Sequence, residues 1–161
     1  MTADGARPLV CRGIRGATTA AANTAEDILE ATQELVTVLI RLNDLEAGAI
    51  ASAIFTTTTD LTAMFPAMAA REFGWTDVPM ICAHEMAVPG ALTKAVRVLV
   101  NVNTTRSAAE MRHVYLKGAR QLRPEWGIPD AELAALLANH QTTPSADQHA
   151  VDRVPVATAA S

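Results

Sequence analysis

Alternating valines mark the clearest strand of the chain. In the segment AVRVLVNVN, residues 95–103, valine occupies every second position, and Arg97 and Leu99 lie between the valines. Successive side chains of a strand point to opposite faces of a sheet, so the valines predict one buried face. Arg97 is therefore expected on the opposite face, directed away from the valine side.

Several other segments have the patterns of regular structure. The β-branched and apolar residues at 10–19, 49–57 and 78–83 are typical of strands. After Thr24, apolar residues recur at spacings of three and four, which predicts a long amphipathic helix that ends near Asn43. Strands and helices are thus expected to alternate along the first half of the chain.

Two further helices are predicted from their capping residues. Asp60 is the expected N-cap of a helix over residues 60–73. Ser107 begins a capping box, which predicts a short helix over residues 107–116. A last strand is expected at residues 120–123.

The predicted order β, α, β, α, β, β, α, β is typical of an α/β (α+β) domain with helices on one face of a mixed sheet. We assign residues 1–9 to a flexible leader, residues 10–127 to this domain and residues 128–161 to a C-terminal extension. Residues 130–140 are expected to form a short helix, and the small polar residues that follow it are expected to be flexible.

Composition narrows the class of protein. The chain has 161 residues, 50% of them hydrophobic, which is enough for the core of one domain. With 17 acidic and 13 basic residues, it lacks the basic excess of a nucleic-acid-binding protein. It has no apolar run long enough to span a membrane, no signal-peptide pattern, and only two cysteines, so we expect a cytoplasmic protein.

The cluster Cys82, His84 and Glu85 invites comparison with a metal site. No second group of ligands follows at the spacing that a zinc site requires, so we expect no metal. A nucleophile pair of Cys82 and His84 is also disfavoured, because residues two apart on a strand stand side by side without approaching each other.

Arginine is the remaining source of chemistry, because all basic residues except Lys94 and Lys117 are arginines. Several arginines lie at or near predicted strands and helix ends: Arg12, Arg15, Arg71, Arg97 and Arg123. Two further candidates are Glu85, an acid in an apolar segment, and Tyr115, the single tyrosine. These residues leave two interpretations open: a site for a carboxylated small molecule, or unrelated surface arginines.

Four segments taken together carry a family resemblance. They resemble, in order and spacing, the monofunctional chorismate mutases of the AroH class, over about residues 10–124. The segments are RGIRGATT at 12–19, TDLTAMFPAMAARE at 59–72, GWTDVPMICAHEM at 74–86, and RHVYL followed by LRP within 112–124. The resemblance implies a ferredoxin-like fold assembled as a homotrimer with a pseudo-barrel sheet core and active sites between subunits.

The resemblance also implies an activity. Members of this family convert chorismate to prephenate, on the route to phenylalanine and tyrosine, by a pericyclic (Claisen) rearrangement of one substrate without a cofactor. Such a reaction is accelerated by holding the reactive diaxial conformer and by placing positive charge at the ether oxygen.

The family motif assigns the central residues of the implied site. Arg97 matches the cation that spans the ether oxygen and the side-chain carboxylate. Arg15 and Tyr115 match the groups that hold the enolpyruvyl carboxylate. Glu85, with the backbone near Cys82, matches the groups that hold the ring hydroxyl.

Four more residues complete the implied site: apolar walls at Phe65 and Leu122, and basic residues at the cleft mouth at Arg71 and Arg123. The sequence departs from the family at Met68, where lysine is common, and at Ile81, where a polar residue is common.

A competing hypothesis is a trimeric small-molecule-binding or imine-deaminase-like protein on the same fold. The joint presence of Glu85, Arg97 and Tyr115 favours the mutase. His84 and His113 are assigned to the surface or to a subunit interface.

Overall fold

Five strands, three α-helices and four short 3-10 helices are present in the part of the chain that the computed structural model describes, residues 7–138. The predicted tail after residue 140 and most of the predicted leader lie outside these residues. The strands are β1 Val10–Thr19, β2 Ile50–Thr57, β3 Met80–His84, β4 Ala95–Thr104 and β5 Val114–Tyr115. The helices are α1 Ala25–Asn43, α2 Ala67–Arg71 and α3 Asp130–Ala138.

The strands form one mixed sheet in the order β3-β2-β4-β1-β5. The central strand β4 is antiparallel to both β1 and β2, whereas the edge strands β3 and β5 run parallel to their neighbours. The register places Arg97 opposite Ala17 of β1 and Thr56 of β2. Residues directly opposite each other in a sheet share a face, so this register determines what surrounds Arg97.

The predicted alternation in β4 is confirmed. Its four valines are at most 4% exposed, whereas Leu99 on the other face is 37% exposed. Val98, Val100 and Val102 pack in one apolar cluster with residues from all three α-helices, including Leu35 of α1, Ala70 of α2 and Leu133 of α3. Val96 packs in a smaller cluster with Ile28 of α1. The α-helices therefore cover this face of the sheet, and among the described residues the face of Arg97 is contacted by a 3-10 helix, Lys117–Leu122, which packs Ala119 near Ala17.

Helix α1 begins and ends as its sequence predicts. The side chain of Thr24 accepts a hydrogen bond from the backbone N–H of Asp27, which caps the first turn. Asp44, just after the helix, adopts a left-handed conformation with φ of 51° and closes the last turn.

The predicted helix over residues 60–73 is wrong for most of its length, because α2 covers only Ala67–Arg71. Pro66 lies in the middle of the predicted segment, where it lacks an N–H donor and disfavours helical geometry in the residue before it. The carboxylate of Asp60 does not cap a helix; it accepts a hydrogen bond from the backbone N–H of Lys94 at 2.8 Å.

The short helix predicted over residues 107–116 is also mostly wrong. The capping box of Ser107 is present, but it begins a single 3-10 turn, Ala108–Glu110. The chain then forms β5, which pairs with Gly16 and Ala17 of β1. Pairing with a strand distant in sequence overrides the local helix signal here.

The strand predicted at residues 120–123 is wrong as well. The structure has a 3-10 helix, Lys117–Leu122, in its place. The side chains of Arg120 and Gln121 each donate to a backbone carbonyl three residues earlier, which supports the helical turns. The helix predicted over residues 130–140 is confirmed as α3 within the described residues.

The close contact between β1 and α1 depends on Gly16. A Cβ atom at this position would lie 2.9 Å from Leu39 Cδ1 and 3.1 Å from Val98 Cγ1. We expect Gly16→Ala to lower the free energy of unfolding by about 1 to 3 kcal/mol, because the packed core must shift to admit the methyl group. Denaturant unfolding at one fixed protein concentration measures this.

Gly48→Ala is the matched control, because a Cβ atom there has no neighbour within 4 Å. Its free energy of unfolding should stay within about 1 kcal/mol of wild type. Equal effects of the two substitutions would contradict the close-packing role of Gly16.

Candidate active site

A cavity of about 260 Å³ opens on the face of the sheet that carries Arg97. Three strands supply its floor, because the register of β1, β4 and β2 brings their outward side chains side by side. Its lining residues are Arg15, Gly16, Ile54, Thr56, Arg97, Val98, Leu99 and Tyr115. Three of the four residues predicted to act on substrate thus share one cavity.

The fourth, Glu85, reaches the same place from the end of β3. Its backbone N–H donates to the carbonyl of Thr57 at 2.8 Å, which extends the pairing of β2 and β3 by one residue. Its Oε1 lies 3.0 Å from Arg97 Nε and accepts a hydrogen bond from Thr56 Oγ1 at 2.7 Å. Thr56 thus restrains the carboxylate of Glu85, and that carboxylate forms an ion pair with Arg97 at Nε.

This ion pair leaves part of Arg97 free to bind a ligand. Glu85 contacts Nε, whereas the two terminal nitrogens have no hydrogen-bond or ion-pair partner within residues 7–138. The side chain of Arg97 is 33% exposed, and that of Glu85 is 17% exposed. A planar fork held at its base presents two donors at fixed geometry, which suits two oxygen atoms of one ligand.

Arg15 adds a second cation to the cavity. Its guanidinium group has no hydrogen-bond or ion-pair partner in the described part of the chain, and it follows from the β1–β4 register that Arg15 and Arg97 share a face. Two arginines against one glutamate leave this cavity with an excess of positive charge. The arrangement therefore favours a ligand that carries carboxylates.

Tyr115 is held from both sides of its short strand. β5 pairs with β1 at Ala17, and the carbonyl of Tyr115 accepts a hydrogen bond from the N–H of Ile128 at 2.9 Å. The residue is 2% exposed, and its ring lies 5.7 Å from the ring of Trp126. The backbone contacts fix where this phenol meets the cavity.

Leu122 packs near Tyr115 and Arg123 lies over Trp126, but neither residue lines the cavity. Leu122 packs against a small cluster of Ala17, Tyr115 and Ala119. Arg123 forms an ion pair with Glu125 at 2.6 Å, and its guanidinium carbon lies 3.7 Å from the ring centre of Trp126.

Phe65 and Cys82 line a second, larger cavity of about 440 Å³, which shares no lining residue with the first. The Cys82 side chain packs against the main core, on the face of the sheet opposite Arg97. Phe65 is 70% exposed, and Arg71 lies exposed at the end of α2. Within one chain, the structure thus separates the predicted site residues into two groups.

Two residues that contact the site, directly or through a neighbour, are not marked by any local sequence pattern. Thr56 belongs to a run of four threonines, and only the register of β2 against β4 distinguishes it from its neighbours. His113 was assigned to the surface or an interface, but its Nδ1 accepts a hydrogen bond from the backbone N–H of Arg15 at 3.0 Å. Neither contact has a signal in local sequence.

Within residues 7–138, no three His, Cys, Asp or Glu side chains come close enough together to hold a metal ion. Over the same residues, no helix is long and apolar enough to cross a membrane.

The pKa of His113 is lowered from its ordinary value of 6.5, first by burial and then by the positive charges of Arg15 and Arg123. The folded protein therefore binds this proton less readily than the unfolded chain does. Stability associated with neutral His113 is present above pH 6.5 and is lost as the pH falls through the lowered value.

We expect the free energy of unfolding of the wild type to decrease more on acidification below about pH 6.5 than that of His113→Asn, which has no such proton to bind. Denaturant unfolding of both proteins at matched pH values measures the difference. Identical pH dependence in the two proteins would contradict the lowered pKa.

Comparison with known proteins agrees with the geometry. The family model described as chorismate mutase type I matches residues 11–126. The chorismate mutase AroH of Thermus thermophilus is 45% identical over 115 residues, which cover 71% of this chain and 94% of that protein. The chorismate mutase AroH of Bacillus subtilis (strain 168) is 42% identical over 121 residues, which cover 74% of this chain and 95% of that protein.

A solved structure is also similar to this chain. The chorismate mutase from Clostridium thermocellum superposes with a TM-score of 0.67 at 47% sequence identity, covering 68% of this chain and 98% of that one. Helix α3 lies beyond the residues that the family model matches. The imine-deaminase-like alternative is not favoured by these matches, and the chain belongs to the chorismate mutase type I family.

Proposed function

We propose that this protein is an isomerase that converts chorismate to prephenate in the cavity of Arg97. The proposal rests on one observation in a chain of this family. The guanidinium group of Arg97 forms an ion pair with Glu85, which is restrained by Thr56, and it lies in one cavity with Arg15 and Tyr115. Chorismate carries two carboxylates and an ether oxygen, which matches the surplus of arginine there.

The rearrangement makes specific demands on a protein. One C–O bond breaks while one C–C bond forms within a single substrate, so no proton, electron or group is transferred, and the proposal includes no cofactor or metal. What remains is to hold the reactive conformer and to stabilise the charge that develops on the ether oxygen. A rate gain of about a millionfold needs about 8 kcal/mol, and hydrogen bonds to charged groups contribute about 1.5 to 3 kcal/mol each.

Each residue of the cavity has a part in this proposal. One terminal nitrogen of Arg97 donates to the ether oxygen and the other donates to a carboxylate. Arg15 and the hydroxyl of Tyr115 bind the enolpyruvyl carboxylate. Oε1 of Glu85 already contacts Arg97 and Thr56, so Oε2 is the atom left to accept the ring hydroxyl.

The proposal includes a homotrimer whose sheets form a pseudo-barrel core. Large apolar side chains are exposed in the single chain, including Phe65 at 70%, Ile81 at 62% and Met86 at 85%. A second copy that covers them would bring the group of Phe65, Arg71 and Cys82 to the cavity of Arg97. Leu122 and Arg123 would then complete the wall and the mouth of the cleft.

The remaining parts of the proposal concern the setting of the enzyme. A cytoplasmic location suits Cys11 and Cys82, both of which are free thiols in the structure. The product would serve phenylalanine and tyrosine synthesis. Residues 10–127 would supply the catalytic domain, with residues 128–161 as an extension whose first part, at Ile128 and Leu133, packs into the core of that domain.

Arg97→Lys tests the central cation. Lysine keeps the charge but is a single point on a flexible stem, so it cannot contact two oxygens at once. We expect kcat/KM for chorismate to fall by at least about a hundredfold. The assay follows the loss of chorismate absorbance with purified protein.

Arg7→Lys is the matched control, because Arg7 forms an exposed ion pair with Glu110, away from the cavity. It should keep kcat/KM within about twofold of wild type. A turnover of Arg97→Lys within tenfold of wild type would remove Arg97 from its assigned role, and an inactive wild type would remove the proposed function.

Mixing of subunits tests whether the site is shared. Arg97→Ala and Arg71→Ala are each expected to lose activity as homotrimers. When the two chains are expressed together, about a quarter of the sites in randomly mixed trimers should combine intact Arg97 from one chain with intact Arg71 from its neighbour. Activity of the mixture no greater than the sum of the two separate variants would place the whole site within one chain.

A further inference from the structure

His113 contacts the substrate cavity only through another residue. Its Nδ1 accepts the backbone N–H of Arg15 at 3.0 Å, while the guanidinium group of Arg15 lies in the cavity. The histidine itself does not line that cavity. His113 therefore contacts the backbone of Arg15 and does not contact the surface where the substrate would bind.

The backbone N–H of Arg15 needs this acceptor. It points towards β5, but the pairing of β1 with β5 is limited to Gly16 and Ala17. An unpaired amide beside a sheet is costly. The imidazole nitrogen of His113 thus continues the ladder by one hydrogen bond that β5 is too short to make.

The ring of His113 is itself held in place. Its centre lies 4.2 Å from the ring of Trp126, which belongs to the 3-10 turn Pro124–Trp126. The guanidinium group of Arg123 covers Trp126, with its carbon 3.7 Å from the ring centre. An acceptor fixed by packing can define the position of the strand that it contacts.

We propose that His113, in its neutral form, is a positioning residue: it fixes the backbone of Arg15 so that the guanidinium group meets the carboxylate of the substrate. This inference rests on the proposed function, because the readout is the binding of chorismate. It assigns no contact between His113 and the reacting atoms.

Charged groups from each neighbouring element face the ring. Arg15 comes from β1, Arg123 and Glu125 come from the segment after β5, and Arg112 and Glu132 line a groove together with His113. The pKa of His113 is lowered mainly by burial, and next by the positive charges of Arg15 and Arg123. Protonation would remove the lone pair of Nδ1 and direct a second N–H at the amide of Arg15.

Two variants separate the acceptor from the ring. His113→Asn places an amide oxygen near the position of Nδ1 and does not titrate in this range. His113→Phe keeps an aromatic ring against Trp126 but has no acceptor. For wild type and both variants, kcat and KM for chorismate are measured from about pH 5 to about pH 8.

We expect the KM of the wild type to rise by up to about tenfold through one ionisation below pH 6.5, with kcat changing less than about threefold. The KM of His113→Asn should lack this ionisation and stay within about threefold of the wild-type value at neutral pH. His113→Phe should have the raised KM at every pH. Amide hydrogen exchange at Arg15 should be faster in His113→Phe than in the other two proteins.

The outcomes distinguish this inference from the proposed function. An acid limb of KM that persists in His113→Asn, or a wild-type KM in His113→Phe, would overturn the role of His113 while leaving the enzyme active. A wild type without turnover would overturn the proposed function. In that case, unchanged exchange of the Arg15 amide in His113→Phe would overturn the positioning contact as well.

Discussion

The antiparallel ladder between β1 and β4 is the constraint on which the other features depend. It pairs ten residues of each strand, from Val10 with Thr104 to Thr19 with Ala95. Because its register is fixed by the burial of the valine face, a slip by one residue would turn either Arg15 or Arg97, whichever strand moved, towards the apolar core. Packing of the helices on one side of the sheet therefore determines which charges meet on the other side.

Glu85 offsets the unfavourable free energy of placing two arginines in one cavity. Two arginines on one face repel each other, and partial burial of Arg97 would be unfavourable without a partner. The carboxylate offsets this cost at Nε, and Thr56 restrains the carboxylate. The guanidinium group is thus oriented before any ligand arrives, so little rotamer freedom remains to be lost on binding.

The sequence alone predicted the elements whose signals are local. The alternation in β4 and the cap at Thr24 are periodic or short-range features, and both agree with the structure. The helix expected from Asp60 failed because Pro66 interrupts it, and β5 was missed because its partner in β1 is distant along the chain. Thr56 and His113 join the site through register and packing, which no single segment encodes.

The hydrophobic core extends beyond the residues that the family model matches, into helix α3. The family model ends at residue 126, yet Ile128 and Leu133 are buried in the main core, and Ile128 bonds to the backbone of Tyr115. The residues shared with the family, 11–126, are therefore fewer than the residues that form one core. A domain boundary placed at residue 126, where the family model ends, would remove part of this core. The strand β5, which carries Tyr115, would then be less stable.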